Sequence, residues 1–116
     1  MPQKIQILAG ADIAETITPY TFAANAAVSL STMGATIQKT AGAGETHGTQ
    51  ALYAIVSIEN NDARYGFNST NISTTRGHVL KAGETIVLEG FDEISKFKMC
   101  PAVSGLYPVV QITTEF

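Results

Sequence analysis

Leu52-Tyr53-Ala54-Ile55-Val56-Ser57-Ile58-Glu59 is the stretch whose reading decides the fold class. It is rich in β-branched and aromatic residues and long enough for a central strand, with Leu52, Ala54, Val56 and Ile58 assigned to one face. Asn60-Asn61-Asp62 follows as a turn, and Ala63-Arg64-Tyr65-Gly66-Phe67 reads as the strand returning beside it. Three turn-forming residues between two such runs are a hairpin signal.

Downstream, Asn68-Ser69-Thr70-Asn71-Ile72-Ser73-Thr74-Thr75 is polar enough to predict an exposed loop. Gly77-His78-Val79-Leu80, the corner Lys81-Ala82-Gly83 and Glu84-Thr85-Ile86-Val87-Leu88-Glu89 predict a further strand pair, with Ile86 and Leu88 sharing a face. Ser95-Lys96-Phe97-Lys98-Met99-Cys100 alternates strictly, which sends Phe97 and Met99 inward and Lys96 and Lys98 outward. Val109-Val110-Gln111-Ile112-Thr113-Thr114-Glu115-Phe116 supplies a last β-branched run. The core expected from these alternations is Val56, Ile58, Ile86, Leu88, Phe97 and Ile112.

Upstream the signals weaken. Lys4 to Leu8, Ala27 to Ser31 and Ala35 to Lys39 are lesser strand candidates, and a helical turn over Asp12 to Ile17 would stop at Pro19. Lys39-Thr40-Ala41-Gly42-Ala43-Gly44-Glu45-Thr46-His47-Gly48 has three glycines and little to bury, so it predicts a linker. Residues 1–50 hold five charged residues and residues 51–116 the other twelve. This contrast divides the chain into an N-terminal arm with weak strands (1–48) and a β-sandwich body (49–116). Short strands at intervals of about ten residues, with turn signals between them, predict an all-β fold. The expected form is an antiparallel β-sandwich or jelly-roll-like barrel of six to eight short strands with an N-terminal arm. No helix-period segment competes.

With 116 residues the chain has length for one domain. Its 45% hydrophobic content supports a core, while 15% charged residues leave a thinly charged surface. A net charge of −3 offers no attraction to phosphate backbones or anionic lipid, so neither nucleic acid nor membrane is an expected partner. No window approaches a spanning helix, and the first residues carry no export signal. A single Cys100 excludes an internal disulfide and a multi-cysteine zinc site.

The residues that bear chemistry are scattered. His47 and His78 lack both metal-ligand spacing and cysteine partners. Glu89, Asp92 and Glu93 cluster around Gly90 without the spacing of a calcium loop, which predicts a solvated acidic turn. Cys100 sits on the outward register of its strand or at its end, beside Pro101, as a half-buried thiol with no histidine partner. Ser29, Ser31, Ser57 and Ser95 lack a nucleophile elbow. The expectation is therefore no enzyme, with no catalytic, metal-binding or cofactor-binding residues and no cofactor. Asn68-Ser69-Thr70 and Asn71-Ile72-Ser73 fit the glycan acceptor pattern and mark an exposed loop. Tyr53, Tyr65, Phe67, Phe91 and Tyr107 would suit a sugar-stacking platform, but core and cross-strand pairing is the better expectation.

From Ala51 to Phe116 a string of motifs occurs in a recognisable order: Ala54-Ile55-Val56-Ser57-Ile58, the Arg-aromatic step Ala63-Arg64-Tyr65-Gly66-Phe67-Asn68 with its Thr-rich loop, Gly77-His78-Val79-Leu80-Lys81-Ala82-Gly83-Glu84, and Ile94-Ser95-Lys96-Phe97-Lys98. In this the chain resembles small virion structural proteins of tailed bacteriophages. Its loop Asn68-Ser69-Thr70-Asn71-Ile72-Ser73 has neither the Gly nor the Pro of the family's loop. The resemblance implies a capsid decoration, or cement, protein that stabilises the head by bridging capsomers. The major capsid protein is then the expected partner and the capsid surface of the virion the expected location, after synthesis in the host cytoplasm. A tail, neck or fibre-associated virion protein is the alternative within that class, and a carbohydrate-binding β-sandwich module the alternative outside it. So few charges also leave strand edges to be covered, which predicts a homo-oligomer, trimer or dimer.

Overall fold

The structure is a computed structural model that describes residues 13–39, 49–67 and 71–116. The deciding run forms β5 (Tyr53–Glu59), in which Ala54, Val56 and Ile58 are fully buried and Tyr53, Ile55 and Ser57 half-buried. It lies inside a four-stranded antiparallel sheet, sheet A, with β1 (Ile13–Thr21), β10 (Val109–Glu115) and β8 (Thr85–Glu89) in the order β1-β10-β5-β8. Sheet B holds β2 (Val28–Ser29), β9 (Phe97–Pro101), β6 (Ala63–Phe67) and β7 (His78–Leu80) in the order β2-β9-β6-β7. A small ladder joins β3 (Gln38–Lys39) to β4 (Thr49–Gln50).

The pairings nest. Apart from the β3–β4 ladder, the first strand pairs with the last (β1 with β10), the second with the next to last (β2 with β9), then β5 with β8 and β6 with β7. That is the connectivity of a jelly roll, two four-stranded sheets wrapped from one long folded ribbon. The all-β expectation therefore holds, and the jelly-roll form within it. The core between the sheets contains Phe22, Leu30, Ile58, Leu88, Ile94, Phe97, Met99, Val110 and Ile112. Each large apolar side chain buried there contributes about 1.5–3 kcal/mol.

Several local expectations are corrected. Asn60-Asn61-Asp62 does not close a hairpin: β5 and β6 belong to different sheets, so the turn carries the chain across the sandwich. Lys81-Ala82-Gly83 does the same between β7 and β8. A turn motif bends the chain sharply in either case, and the sheet joined by the next strand depends on which partner covers its apolar face. Ser95 and Lys96 are not strand residues; they end a short helix α1 (Phe91–Lys96), which tucks Ile94 into the core with Phe97 starting β9. Leu52 lies 42% exposed rather than sharing the buried face of β5, and Ile86 is only half-buried.

The division at residue 48 is redrawn as well. Ile13–Thr21 is an edge strand of sheet A, not a helical turn, and Pro19 is accommodated within it. Phe22, Leu30, Met33 and Ala35 belong to the core cluster. Residues 13–39 are thus integral to the sandwich, because a body starting at residue 49 would lack one strand from each sheet. The strand candidates Ala27 to Ser31 and Ala35 to Lys39 survive as the two-residue strands β2 and β3. Lys4 to Leu8 and most of the glycine-rich linker lie outside the described residues.

Candidate functional site

The two outer faces of the sandwich differ in what covers them. On sheet A, the register aligns Ile17, Thr113, Ile55 and Val87 in one row across all four strands. Ile17 is 58% exposed and Val87 42%, with Ile55 and Thr113 half-buried between them, so an apolar row faces solvent. Gln111 donates to the Glu59 carboxylate at 3.2 Å on the same face.

On sheet B the chain supplies its own cover. The β6–β7 connection folds back so that Ile72 sits over Gly66, where even an added Cβ would come within 2.9 Å of the Ile72 side chain. Arg64 holds this segment by donating from Nε to the Thr74 carbonyl and from a terminal nitrogen to the Gly77 carbonyl, both at 3.0 Å. Gly77 runs so close, at a φ of 122°, that a side chain there would meet the Tyr65 carbonyl at 3.0 Å. Cys100, paired with Arg64 on the outward register, is therefore fully buried rather than half-buried, and burial raises its thiol pKa.

At one end of the sandwich, the loops after β1, β5, β7 and β9 are tied together. Asn25 donates to Ser104 Oγ at 2.9 Å and accepts from the Gly105 N–H at 3.1 Å. Asn61 donates to the Tyr107 carbonyl at 3.1 Å, and Asp62 accepts from the Ala82 N–H at 2.8 Å. A surface cavity of about 140 Å³ opens here between Asn60, Asn61, Asp62, Val103 and Leu106. Val103 and Leu106 stand 52% and 49% exposed on its rim.

Other chemistry-bearing residues stay dispersed. His78 is exposed and packs at 5.5 Å from the Tyr65 ring. Of the acidic turn, Glu93 accepts from the Glu89 N–H at 3.3 Å and Asp92 pairs with Lys96 at 3.0 Å. Among the described residues no group of three His, Cys, Asp or Glu side chains is placed to hold a metal ion. Of the five aromatics considered as a sugar platform, Tyr65 and Phe67 come together edge-on at 6.2 Å, with Tyr65 stacked on Phe97 and Phe67 meeting the Phe97 ring edge-on. Tyr53 lies in sheet A, Phe91 starts α1 and Tyr107 packs against the core. Asn71 of the acceptor pattern is exposed, while Ile72 beside it is buried. His47 and Asn68-Ser69-Thr70 fall outside the described residues.

Sequence reasoning missed the sheet A row and the Val103–Leu106 rim. The one available signal was Ile86-Val87-Leu88, apolar on both faces of a strand. Among the described residues, no helix is long and apolar enough to cross a membrane. The fold and its surfaces define a small jelly-roll sandwich in which, among the described residues, one outer face keeps an exposed apolar row. No protein-family model, curated protein or solved structure matches the chain.

Proposed function

We propose that the protein is a bacteriophage virion structural protein of the capsid decoration kind, seated on the major capsid protein at the head surface and bridging neighbouring capsomers. The observation that carries this reading is the bare row Ile17–Thr113–Ile55–Val87 on a thinly charged jelly roll. An apolar row of this kind is suited to being covered by a partner, and jelly rolls recur among viral capsid proteins. The motif string from Ala51 to Phe116 supports the same reading. Stabilisation follows from mass action: a ligand that binds only the assembled shell shifts the equilibrium toward assembly.

Protein composition of purified particles tests this. A copy number comparable with the major capsid protein supports decoration, and a few copies per particle favours a tail, neck or fibre component. Absence from particles sinks the virion reading. The carbohydrate-binding alternative then rests on the Tyr65–Phe67 cluster, where Phe67 is 41% exposed, and a glycan array would test it.

A further inference from the structure

Among the described residues sheet A ends in two edge strands, β1 and β8, and they are built differently. The Phe22 N–H donates to the Pro108 carbonyl, so even-numbered β1 residues face β10 while Ile17, Pro19 and Thr21 face outward. The outward edge of β1 thus carries a proline, which has no N–H, and a register shift between Ile13 and Ile17. Both devices discourage a strand from another molecule.

β8 carries neither. Its Gly90 N–H reaches the Leu52 carbonyl at 2.7 Å and its Glu84 carbonyl accepts from Ile58 at 3.3 Å, so residues 84, 86, 88 and 90 face β5. Thr85, Val87 and Glu89 therefore point their backbone groups at the open edge. The Glu89 N–H is taken by the Glu93 carboxylate, whereas the run Thr85-Ile86-Val87-Leu88-Glu89 has no lysine, no proline and no register shift.

We infer that the β8 edge pairs antiparallel with β8 of a second copy about a two-fold axis through Val87. The inference gives a geometry to the homo-oligomer expected from the sequence and is independent of the capsid reading proposed above. A two-fold pairing suits a single strand, since each chain presents the same groups to the other. Centred on Val87, it exchanges two hydrogen bonds between the Val87 residues. It also sends each Thr85 N–H to the partner's Glu89 carbonyl, and the exposed Glu93 carboxylate swings off the Glu89 N–H so that this donor reaches the partner's Thr85 carbonyl. Ile86 then faces the partner's Leu88, Thr85 faces the partner's Glu89 and Glu84 faces the partner's Gly90, so no acidic side chain meets another. The apolar row Ile17–Thr113–Ile55–Val87 continues unbroken into its copy.

The test uses the full chain. Val87→Cys places two thiols in a hydrogen-bonded pair with Cα atoms about 5.5 Å apart, within disulfide reach. Under mild oxidant it is expected to convert to a covalent dimer. Wild type should not, its Cys100 being buried, and Ile17→Cys, as exposed but on the guarded edge, should cross-link about tenfold more slowly or worse. Val87→Pro removes an N–H that the chain's own ladder does not use, and Val87→Lys sets two ammonium groups face to face; both should give folded monomers by circular dichroism and light scattering. An oligomer that survives both substitutions and leaves Val87→Cys uncrosslinked overturns the β8 pairing while leaving self-association intact. A trimer also overturns it, because a two-fold axis generates even numbers. A wild-type monomer at tens of micromolar overturns pairing and self-association together, leaving particle copy number to judge the capsid reading.

Discussion

Among the described residues, sheet B closes its own outer face and sheet A does not. On sheet B a polar-looking loop becomes a roof, because Ile72 plugs the space above Gly66 and Arg64 satisfies the loop carbonyls of Thr74 and Gly77. On sheet A the corresponding face keeps Ile17 and Val87 in solvent, with no segment of the described chain laid across them. The difference teaches that a small sandwich need not cover both faces to fold, since the inner faces supply its core.

Substitutions can break or sharpen this contrast. The largest effect is expected in the shared interior: Phe97→Ala removes a fully buried ring stacked 5.6 Å from Tyr65 and should cost about 3–5 kcal/mol in denaturant unfolding. A loss below about 1 kcal/mol there would mean that β9 is misregistered. Next comes the roof itself. Ile72→Ala should cost about 2–3 kcal/mol, far above the value for an exposed loop residue, and a near-neutral result would show sheet B to be as bare as sheet A. Arg64→Met keeps the aliphatic stem and removes two donors to carbonyls, with an expected loss of about 1–2 kcal/mol and faster amide exchange across residues 73–77.

The thiol under the roof provides a pH test. Burial raises the folded-state pKa of Cys100, so the protonated form is favoured in the native state. That contribution is fully present below the unfolded thiol pKa and is lost as pH rises through the folded value. Wild type should therefore lose stability under alkaline conditions more steeply than Cys100→Ala, and the native thiol should resist alkylation until the protein unfolds. Smallest of all, Ile17→Thr on the bare face should change stability by less than about 0.5 kcal/mol. It should nonetheless weaken particle binding, measured by co-sedimentation; unchanged binding would remove the sheet A row from the capsid contact.

Much of the sandwich was legible before the structure. The alternation in Ala54, Val56 and Ile58 marked the central strand, and Phe97, Met99 and Ile112 pointed inward as expected. Leu52 broke the pattern because it precedes β5, which begins only at Tyr53. Asp92 and Glu93 read as an acidic turn and Ser95 and Lys96 as strand, since a six-residue helix carrying one buried residue, Ile94, is too short for a helical period to appear. The N-terminal third hid its strands for a different reason. β2 and β3 are two residues long, and β1 is interrupted by a bulge and by Pro19, so neither length nor alternation builds up. No candidate site was recognisable, because the surfaces that matter are assembled from single residues on four strands.

By itself the sequence determined the all-β class, the positions of the turns and most of the inward-facing side chains, because alternation and turn chemistry are local properties of the chain. It left open which strands pair. Asn60-Asn61-Asp62 and Lys81-Ala82-Gly83 serve a hairpin or a crossing between sheets equally well, and the tertiary structure chose the crossing. Only there do the apolar faces of β5 and β6 meet across a common core and not side by side in one sheet. The same long-range decision aligned Ile17, Thr113, Ile55 and Val87 from distant segments into one row. It also turned Ile72 from a loop residue into part of the roof, an outcome that register and packing settle and local sequence does not encode.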